Sequence, residues 1–400
     1  MNLKNRTLFI ADNLDIMRGI DSESVDLIYL DPPFNSKREY KAPIGSPAEG
    51  ATFKDIWTDE DVKEEWRGEI AARHQDLYQV IKAAGALYDQ SMSIYMTAMS
   101  IRLFEMKRIL KKTGSVYLHC DPTASHYLKI CMDSIFGKSS FQNEIAWGYR
   151  TGGVSKKRWP RKHDTLLFYA NSNAYRHLPP KERIYYEKPF FSQNQDDEGR
   201  HYADVYVRDV WDDIKPIINT SKERTGWPTQ KPLALLERII KASSNEGDLV
   251  LDPFCGCATA CVAAERLGRR WVGIDISPSA EVITKYRLDE ARHNLEGTQT
   301  FDPEADVIVL REPPKRTDIQ IPKPIEHKPA LYGKQDGYCN GCGIHFPYRN
   351  MTIDHIRPRA RGGADTVDNL QLLCHACNAT KGTGTQEELI AKLRERGVIE

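Results

Sequence analysis

The chain has no excess of charge of either sign, because its 56 lysines and arginines balance its 56 aspartates and glutamates. Net charge therefore does not indicate a nucleic-acid partner, and a surface for one would have to come from local clusters of basic residues. No apolar run is long enough to span a bilayer. The N-terminus, Met-Asn-Leu-Lys-Asn-Arg, lacks the apolar core of a signal peptide. These absences predict a cytoplasmic protein.

Disulfide bonds are not expected, since thiols stay reduced in the cytosol. The nine cysteines therefore need another explanation. Four of them form two Cys-x-x-Cys pairs near the C-terminus, a pattern that is typical of a metal site. The other five are scattered: Cys120, Cys131, Cys255, Cys257 and Cys261.

The length of 400 residues predicts two or three domains. From residue 1 to about 300, apolar runs alternate with helical patterns, which predicts an α/β fold with a doubly wound, Rossmann-like sheet. The predicted strands are Thr7–Ala11, Leu27–Leu30, Ser115–His119, Thr165–Tyr169, Leu249–Leu251 and Trp271–Ile274. The predicted helices are Tyr95–Leu110, Ser125–Ile135, Leu233–Ser243 and Ala258–Leu267.

Three further segments complete the predicted organisation. Residues 171–230 are polar and aromatic with weak periodicity, so we expect an irregular insertion, within a region of about 145–230 that would contact the partner. Residues 301–330 contain six prolines among charges and predict a semi-rigid linker. Residues 331–400 predict a compact small module that ends in an amphipathic helix near Glu387–Arg396.

The tetrapeptide Asp31-Pro32-Pro33-Phe34 follows an apolar run that predicts a short buried strand. Prolines stop the strand and stiffen the next turn, which leaves Asp31 at the carboxyl end, where open α/β sheets bind ligands. An exocyclic base amine is a poor nucleophile, because its lone pair is delocalised into the ring. Asp31 and the carbonyl of Pro32 could accept its two hydrogens and localise that lone pair, while Phe34 stacks on the ring. A rigid strand-to-loop turn is the alternative interpretation.

A second segment has the pattern of a cofactor loop. Leu249-Val250-Leu251 leads into Asp252-Pro253-Phe254-Cys255-Gly256 and a helical pattern, so Gly256 would allow close backbone approach before unpaired helical N–H groups. Asp275 lies nineteen positions after Gly256, close to the spacing at which a carboxylate meets ribose hydroxyls. Because the loop has few glycines, a non-phosphorylated nucleoside such as S-adenosylmethionine fits better than a dinucleotide. An ordinary βαβ packing loop is the alternative.

Taken together, these segments resemble the β class of amino DNA methyltransferases, over most of residues 6–290. The resemblance rests on the segments Ala11-Asp12-Asn13-Leu14-Asp15, Asp31-Pro32-Pro33-Phe34, Gly114-Ser115-Val116-Tyr117-Leu118-His119-Cys120-Asp121, Thr229-Gln230-Lys231-Pro232, Asp252-Pro253-Phe254-Cys255-Gly256 and Asp275. Ala258 departs from the usual Phe-x-Gly-x-Gly loop.

The resemblance implies roles for particular residues. The catalytic tetrapeptide, Asp31 to Phe34 with Pro32 and Pro33, would hold a base flipped out of DNA. The methyl-donor pocket would be lined by Asp12, Lys231, Asp252, Phe254, Gly256 and Asp275. Within the family, aspartate at position 31 favours adenine N6 over cytosine N4, and it argues against the related enzymes that modify RNA guanine or protein glutamine.

Reaching a base inside a duplex requires anchors on the phosphates. Residues 147–163 contain basic residues and no acid, and Trp159 could wedge or stack there. The predicted DNA contacts in this segment are Arg150, Lys156, Lys157, Arg158, Arg161 and Lys162. A solvated basic loop is the alternative.

The C-terminal cysteine pairs have the knuckle spacings that suit tetrahedral zinc. Their members are Cys339, Cys342, Cys374 and Cys377. Because no open coordination position is implied, the predicted zinc is structural, in a module small enough to need such support.

Between the pairs, an Asp-His dipeptide is followed by two asparagines, and oxygen ligands of this type suit magnesium or manganese. The segment resembles the HNH (ββα-metal) nuclease family over about residues 331–386. The resemblance makes His355 the general base, Asp354 and Asn378 the divalent-metal ligands, and Asn369 the residue that orients the hairpin. Phosphate contacts would come from Arg357, Arg359, Arg361 and Lys381. The alternative is a zinc knuckle that binds DNA without cutting it.

The sequence thus predicts an S-adenosylmethionine-dependent DNA methyltransferase, adenine-specific, at 1–300, a linker at 301–330 and an HNH endonuclease at 331–400. It would act on double-stranded DNA in restriction–modification, phage defence or a mobile element. One alternative is an adenine N6 or cytosine N4 methyltransferase whose tail only binds DNA. Another makes cleavage primary, with the first domain sensing methylation. The sequence does not determine the oligomeric state, and a homodimer is one possibility.

Overall fold

The structure, a computed structural model, describes residues 2–150, 154–188, 194–293, 306–318, 327–364 and 366–400. Contacts divide the chain into two compact units. The first unit combines Met1–Asp55 with Glu105–Asp318, and the second combines Ile56–Phe104 with Ile319–Glu400. None of the helices in these ranges is long and apolar enough to cross a membrane.

The strands are numbered in chain order. They are β1 (Thr7–Ile10), β2 (Val25–Leu30), β3 (Arg38–Lys41), β4 (Thr52–Asp55), β5 (Leu110–Cys120), β6 (Phe141–Gly148), β7 (His163–Ala170), β8 (Lys181–Tyr186), β9 (Asn194–Gln195), β10 (His201–Tyr206), β11 (Val210–Trp211), β12 (Leu249–Asp252), β13 (Arg270–Asp275), β14 (Ile308–Leu310), β15 (Met351–His355) and β16 (Leu370–Cys374).

The α-helices are numbered in the same way. They are α1 (Asn13–Gly19), α2 (Glu64–Arg73), α3 (Gln75–Leu87), α4 (Gln90–Ile109), α5 (Ser125–Phe136), α6 (Leu233–Ser243), α7 (Thr259–Arg266), α8 (Ser279–His293), α9 (His327–Lys334), α10 (His375–Lys381) and α11 (Gln386–Glu395).

The first unit is built on a nine-stranded sheet in the order β11-β6-β7-β5-β2-β12-β13-β1-β14. The strands from β5 to β14 in that order run parallel, and β7 runs antiparallel between β5 and β6. All residues of β1, β2 and β12 are buried, as expected for parallel strands covered on both faces. The predicted α/β doubly wound fold is therefore confirmed.

Each of the six predicted strands forms, within a few residues of its predicted ends, and so do the four predicted helices. The description of 171–230 as irregular was wrong in part. Strands β8, β10 and β9 form an antiparallel sheet there, and β11 adds to the edge of the main sheet. Their alternating half-exposed pattern is short and polar, so weak hydrophobic periodicity concealed them.

The predicted linker has structure in its described part. Strand β14 lies at 308–310 and pairs in parallel with β1, and Thr317 donates hydrogen bonds to Asp21 at 2.6 and 2.8 Å. Residues 301–305 and 319–326 of the linker lie outside the described residues. The boundaries 1–300, 301–330 and 331–400 stay a prediction, since the contact-based units also group 56–104 with the C-terminal residues.

In the second unit, helices α2 and α9 approach each other backbone to backbone at two glycines. A Cβ on Gly68 would lie 1.8 Å from the carbonyl oxygen of Pro329, and one on Gly333 would lie 1.8 Å from that of Glu64. Beside them, Tyr78 donates a 2.6 Å hydrogen bond to Asp336. The small C-terminal module is therefore packed on helices from the middle of the chain, which the sequence did not predict.

Candidate functional site

Four acidic residues meet at one edge of the main sheet. Asp12 follows β1, Asp31 follows β2, and Asp252 and Asp275 end β12 and β13. Because these strands are parallel, their carboxyl ends share that edge, which is where such sheets bind ligands. The structure thus brings together the two halves of the site that the sequence placed more than 200 residues apart.

Asp31 is held by a lysine rather than left open to solvent. The Lys231 ammonium donates a 2.5 Å hydrogen bond to Asp31 Oδ2, and the side chains are 9 % and 16 % exposed. Lys231 Nζ also lies 5.3 Å from the centroid of the Phe34 ring. The structure therefore places Lys231, expected in the methyl-donor pocket, directly on the predicted catalytic carboxylate.

Phe34 stacks on a buried histidine that the sequence did not single out. The rings of Phe34 and His119 lie 6.2 Å apart at an interplanar angle of 26°. His119 Nε2 lies 3.1 Å from Asp164, and His119 Nδ1 lies 2.9 Å from the Tyr29 hydroxyl. Tyr149 donates a further 3.2 Å hydrogen bond to Asp164.

The protonation states in this network follow from the pKa shifts. Burial would raise the pKa of Asp164, but His119, Lys231 and Tyr149 together hold it below its ordinary value, so Asp164 is ionised and can only accept. His119 Nε2 must then donate to Asp164. Burial raises the pKa of Tyr29 far above its ordinary value, so its hydroxyl keeps its proton and can donate to Nδ1. The network therefore fixes the ring against which Phe34 rests.

The second half of the site is a loop fastened to the end of β13. Asp275 accepts hydrogen bonds from the backbone N–H groups of Gly256 at 2.9 Å and Ser277 at 2.8 Å. A Cβ on Gly256, whose φ is +50°, would lie 2.8 Å from Trp227 Nε1, so this position leaves little room for a side chain. The predicted close approach of the Gly256 backbone to a cofactor stays a prediction.

The charges at this edge suit a cationic ligand. Burial raises the pKa of Asp252 well above its ordinary value; a hydrogen bond from Phe254 N–H opposes this, and the charges of Asp31 and Asp275 raise it further. Burial likewise raises the pKa of Asp275. The sulfonium and ammonium groups of S-adenosylmethionine would reduce the repulsion between the clustered carboxylates. These acidic side chains therefore fit that cofactor.

The first helix is joined to the same loop. The Asp12 side chain caps α1 by accepting from Leu14 N–H at 2.8 Å, and Asn13 donates a 2.7 Å hydrogen bond to the carbonyl of Pro253. Ala258, the departure from the usual loop, begins α7 in the left-handed region with φ +60°. A glycine-like conformation is therefore kept although the glycine is absent.

The basic segment emerges at the same edge. Residues 149–162 connect β6 to β7, and the pairings Gly148↔His163 and Cys120↔Thr165 place both ends beside the carboxyl end of β5. The six predicted DNA contacts are exposed or half-exposed, and Trp159 is 93 % exposed. Residues 151–153 lie outside the described residues. The position and exposure of this segment support its predicted contact with DNA.

Neutralising Lys156, Lys157, Arg158 and Arg161 together should weaken DNA binding and flatten its salt dependence. Each lost phosphate contact should lower the slope of log affinity against log salt by roughly one. Fluorescence anisotropy over a salt series measures that slope. A control that neutralises four exposed cations of the same unit, Lys4, Lys54, Lys241 and Lys285, should keep it. An unchanged slope in the test variant would make the segment a solvated loop.

The four C-terminal cysteines form a metal centre. The sulfurs of Cys339, Cys342, Cys374 and Cys377 all lie within 4.8 Å of one another. Tetrahedral Zn²⁺ with bonds of about 2.3 Å to sulfur needs sulfurs roughly 3.8 Å apart, so the cluster fits zinc. In the part of the chain that the structure describes, no other group of three or more His, Cys, Asp or Glu side chains is placed to hold a metal ion.

Cys342→Ser should remove zinc and unfold the C-terminal module, because a small core that is cross-linked by metal loses its binding free energy when a thiolate is lost. The zinc content measured by elemental analysis should fall from one ion per chain to near zero. Limited proteolysis should then cut the unfolded module. Cys131→Ser, which changes a buried cysteine of α5, is the matched control, and this variant should keep its zinc. Full zinc occupancy in the Cys342 variant would contradict the assignment.

The predicted nuclease residues lie on the β15–β16 hairpin and on α10. Asp354 Oδ2 accepts a hydrogen bond from Gln371 and forms an ion pair with Lys381, both at 3.0 Å. The described residues donate none to Oδ1, which leaves a hard oxygen for a divalent ion. His355 ends β15, and its carbonyl accepts a 2.7 Å hydrogen bond from Lys381. Asn378 lies half-buried on α10.

Two supporting residues have different outcomes. The Asn369 side chain accepts from Arg357 N–H at 2.9 Å and donates to the carbonyls of Arg357 and Ala364. These bonds hold the loop between β15 and β16 and support the predicted role of Asn369. Lys381 was expected to contact phosphate, but it is 2 % exposed and paired with Asp354. That expectation was wrong, whereas Arg357, Arg359 and Arg361 are exposed.

Comparisons with known proteins match two parts of the chain to known families. A family of DNA methylases matches residues 25–285, more than half of the chain, and the HNH endonuclease family matches residues 339–384. The DNA adenine methyltransferase YhdJ of Escherichia coli K12 is 29 % identical over 295 residues, covering 72 % of this chain and 84 % of that protein. The type II methyltransferase M.HpaI of Haemophilus parainfluenzae is 26 % identical, covering 71 % and 74 %. The solved PvuII DNA methyltransferase (cytosine-N4-specific) has a TM-score of 0.44 at 15 % identity, covering 77 % and 95 %.

Proposed function

The chain belongs to the family of DNA methylases, and on that premise we propose that it transfers a methyl group from S-adenosylmethionine to adenine N6 of double-stranded DNA. The observation that carries the proposal is the shared sheet edge, where Asp31 meets the Gly256 loop and Asp275. An acceptor for an amine and an acidic cradle for a cationic methyl donor thus lie side by side.

Each residue of the tetrapeptide has its own role in binding the base. Asp31 and the carbonyl of Pro32 accept the two hydrogens of the amine, which localises its lone pair towards the methyl group. Phe34 stacks on the flipped ring, and its position is fixed by His119 and Asp164. Pro33 stiffens the turn between them. Holding the amine in this geometry is the principal contribution of the protein.

The predicted methyl-donor pocket consists of Asp12, Lys231, Asp252, Phe254, Gly256 and Asp275, although the hydrogen bond from Lys231 to Asp31 favours a different role for this lysine. When bound, S-adenosylmethionine supplies the electrophilic methyl group. Adenine is the proposed target because position 31 is aspartate and because YhdJ, a similar protein, is named a DNA adenine methyltransferase. A flipped cytosine amine is the alternative.

Contact with the duplex is assigned to residues of about 145–230. The basic segment supplies phosphate anchors, and the β8–β10–β9 sheet belongs to the same region. Extrusion of the base costs a few kcal/mol, which such contacts would offset.

The HNH match at 339–384 adds a second activity, which we propose is divalent-metal-dependent cleavage of DNA. Asp354 and Asn378 would hold Mg²⁺ or Mn²⁺, and His355 would take a proton from the attacking water. Such a pairing of activities would serve restriction–modification or phage defence, and M.HpaI, a similar protein, is named a type II methyltransferase. One observation favours a tail that only binds DNA: the Lys381 ammonium already neutralises Asp354.

A single incubation separates these functions. Unmethylated plasmid is treated with the full chain, with and without S-adenosylmethionine and with and without Mg²⁺ or Mn²⁺. We expect methyladenine only with the methyl donor and strand breaks only with the divalent ion. Methylation without breaks, on substrates of every methylation state, would make the tail a DNA-binding module. Breaks without any methylation would reduce the first domain to a sensor.

A further inference from the structure

The ion pair between Lys231 and Asp31 occupies one side of the carboxylate only. Lys231 Nζ donates to Oδ2 at 2.5 Å, while Oδ1 is buried and receives no hydrogen bond from the described residues. A buried carboxylate oxygen without a hydrogen-bond donor is unfavourable. The free position at Oδ1 is therefore suited to a donor on a bound substrate. An exocyclic amine is such a donor.

The loop that carries Lys231 is held rigidly. Gln230 Oε1 accepts from the backbone and hydroxyl of Thr225 at 2.9 and 2.8 Å, and Gln230 Nε2 donates to the carbonyl of Glu223 at 2.7 Å. Thr229 has a φ of +62°, a left-handed conformation that is unfavourable for a β-branched residue. Strain of this kind persists where the surrounding structure fixes a functional position. Thr229 lies two residues before Lys231, so the strained turn helps to fix this lysine.

The Lys231 ammonium is surrounded by the acids and the ring of the transfer site. Beyond Asp31, its charge acts on Asp164 and Asp252, and it faces the Phe34 ring. The lysine does not need a ligand to hold it in place, because Asp31 and the carbonyl of Thr229, 3.4 Å away, already accept its hydrogens.

We propose that Lys231 is a positioning residue for Asp31: it fixes Oδ2 and thereby directs Oδ1 to accept a hydrogen from the target amine. This rests on the proposed methyl transfer, since it assigns the acceptor atom for that reaction. The ammonium does not touch the base, and its ion pair with Oδ2 prevents rotation of the carboxylate.

Two other roles for Lys231 make different predictions. As a ligand of the methyl donor, it would contribute to cofactor affinity and little to turnover once the cofactor saturates. As an occupant of the amine position, it would compete with the base, so that its removal would improve DNA binding or turnover. As a positioning residue, it contributes to turnover and leaves both affinities unchanged.

The test compares wild type, Lys231→Met and Lys231→Arg, as full chains, in methyl transfer to unmethylated bacteriophage DNA, with S-adenosylmethionine affinity measured by calorimetry. Lys231→Met should lower kcat by roughly 10- to 100-fold, the loss that follows from a misplaced reacting group. Its KM for DNA and its Kd for S-adenosylmethionine should stay within about twofold of wild type. Lys231→Arg should recover part of kcat, because a guanidinium can still pair with Oδ2.

Lys111→Met is the matched control, since Lys111 pairs with Asp26 at 2.7 Å at the other end of β2 and should keep its kcat when folded. A tenfold weaker Kd for S-adenosylmethionine with unchanged kcat would make Lys231 a cofactor ligand and overturn the proposal. A higher kcat or a lower KM for DNA would make it a competitor of the base, with the same consequence. Wild-type activity matched by Lys231→Met would reject this proposal alone, whereas an inactive wild type would reject the proposed function and this proposal with it.

Discussion

Asp31→Ala is expected to abolish methyl transfer while S-adenosylmethionine binding stays largely intact. The carboxylate would accept a hydrogen of the target amine, whereas the methyl donor would rest on the Gly256 loop and Asp275. Losing an acceptor in the transition state should cost at least 10²-fold in rate, by analogy with other preorganised hydrogen-bonding groups. A radiolabelled methyl-transfer assay and calorimetry with S-adenosylmethionine measure the two effects separately.

Two further variants provide a second test and a control for this result. Asp31→Asn keeps the shape but loses the charge that pairs with Lys231, so it should also be inactive. Asp76→Ala removes an exposed carboxylate on α3 and should transfer methyl groups at the wild-type rate. Transfer by Asp31→Ala above a few per cent of wild type would show that another group receives the amine.

The second large effect is expected at the nuclease site. His355→Ala should eliminate strand cleavage while methylation continues, because the proposed base would no longer accept a proton from the attacking water. Zinc should stay bound, since its proposed ligands are the four cysteines. Plasmid nicking with Mg²⁺ or Mn²⁺, scored on the same samples as methyladenine, measures both activities.

His375→Ala is the matched control for that variant. His375 is exposed at the start of α10 and takes no part in the proposed chemistry, so its loss should leave nicking unchanged. If His355→Ala nicks DNA as well as wild type, the general base lies elsewhere on the module.

The parts of the fold that followed from the sequence are those with a strong local pattern. Strands β2 and β12 are mostly apolar and fully buried, because parallel strands are covered on both faces. Asp31 follows β2 and Asp252 ends β12, and these two acids mark the site edge. The Cys-x-x-Cys pairs behave similarly, since metal ligands must come in close pairs and the spacing alone indicates them. Asp31, Gly256 and Asp275 were found for these reasons.

The parts that did not follow depend on contacts between distant residues. His119 reads as the last residue of a buried strand, and only the pairing of β5 with β7 brings Asp164 to it. Lys231 reads as a cofactor residue by resemblance, and only the fold places it on Asp31, 200 positions away. The contact of α2 with α9 depends on two glycines that carry no local signal.

The proposed methylation of adenine in DNA can be tested directly by mass spectrometry of nucleosides. Unmethylated duplex DNA is incubated with the protein and with S-adenosylmethionine whose methyl group carries deuterium. Wild type should yield deuterated N6-methyldeoxyadenosine, and Asp31→Ala should yield none. Deuterated N4-methyldeoxycytidine in its place would contradict the assignment of the base, and no deuterated nucleoside at all would contradict methyl transfer to DNA.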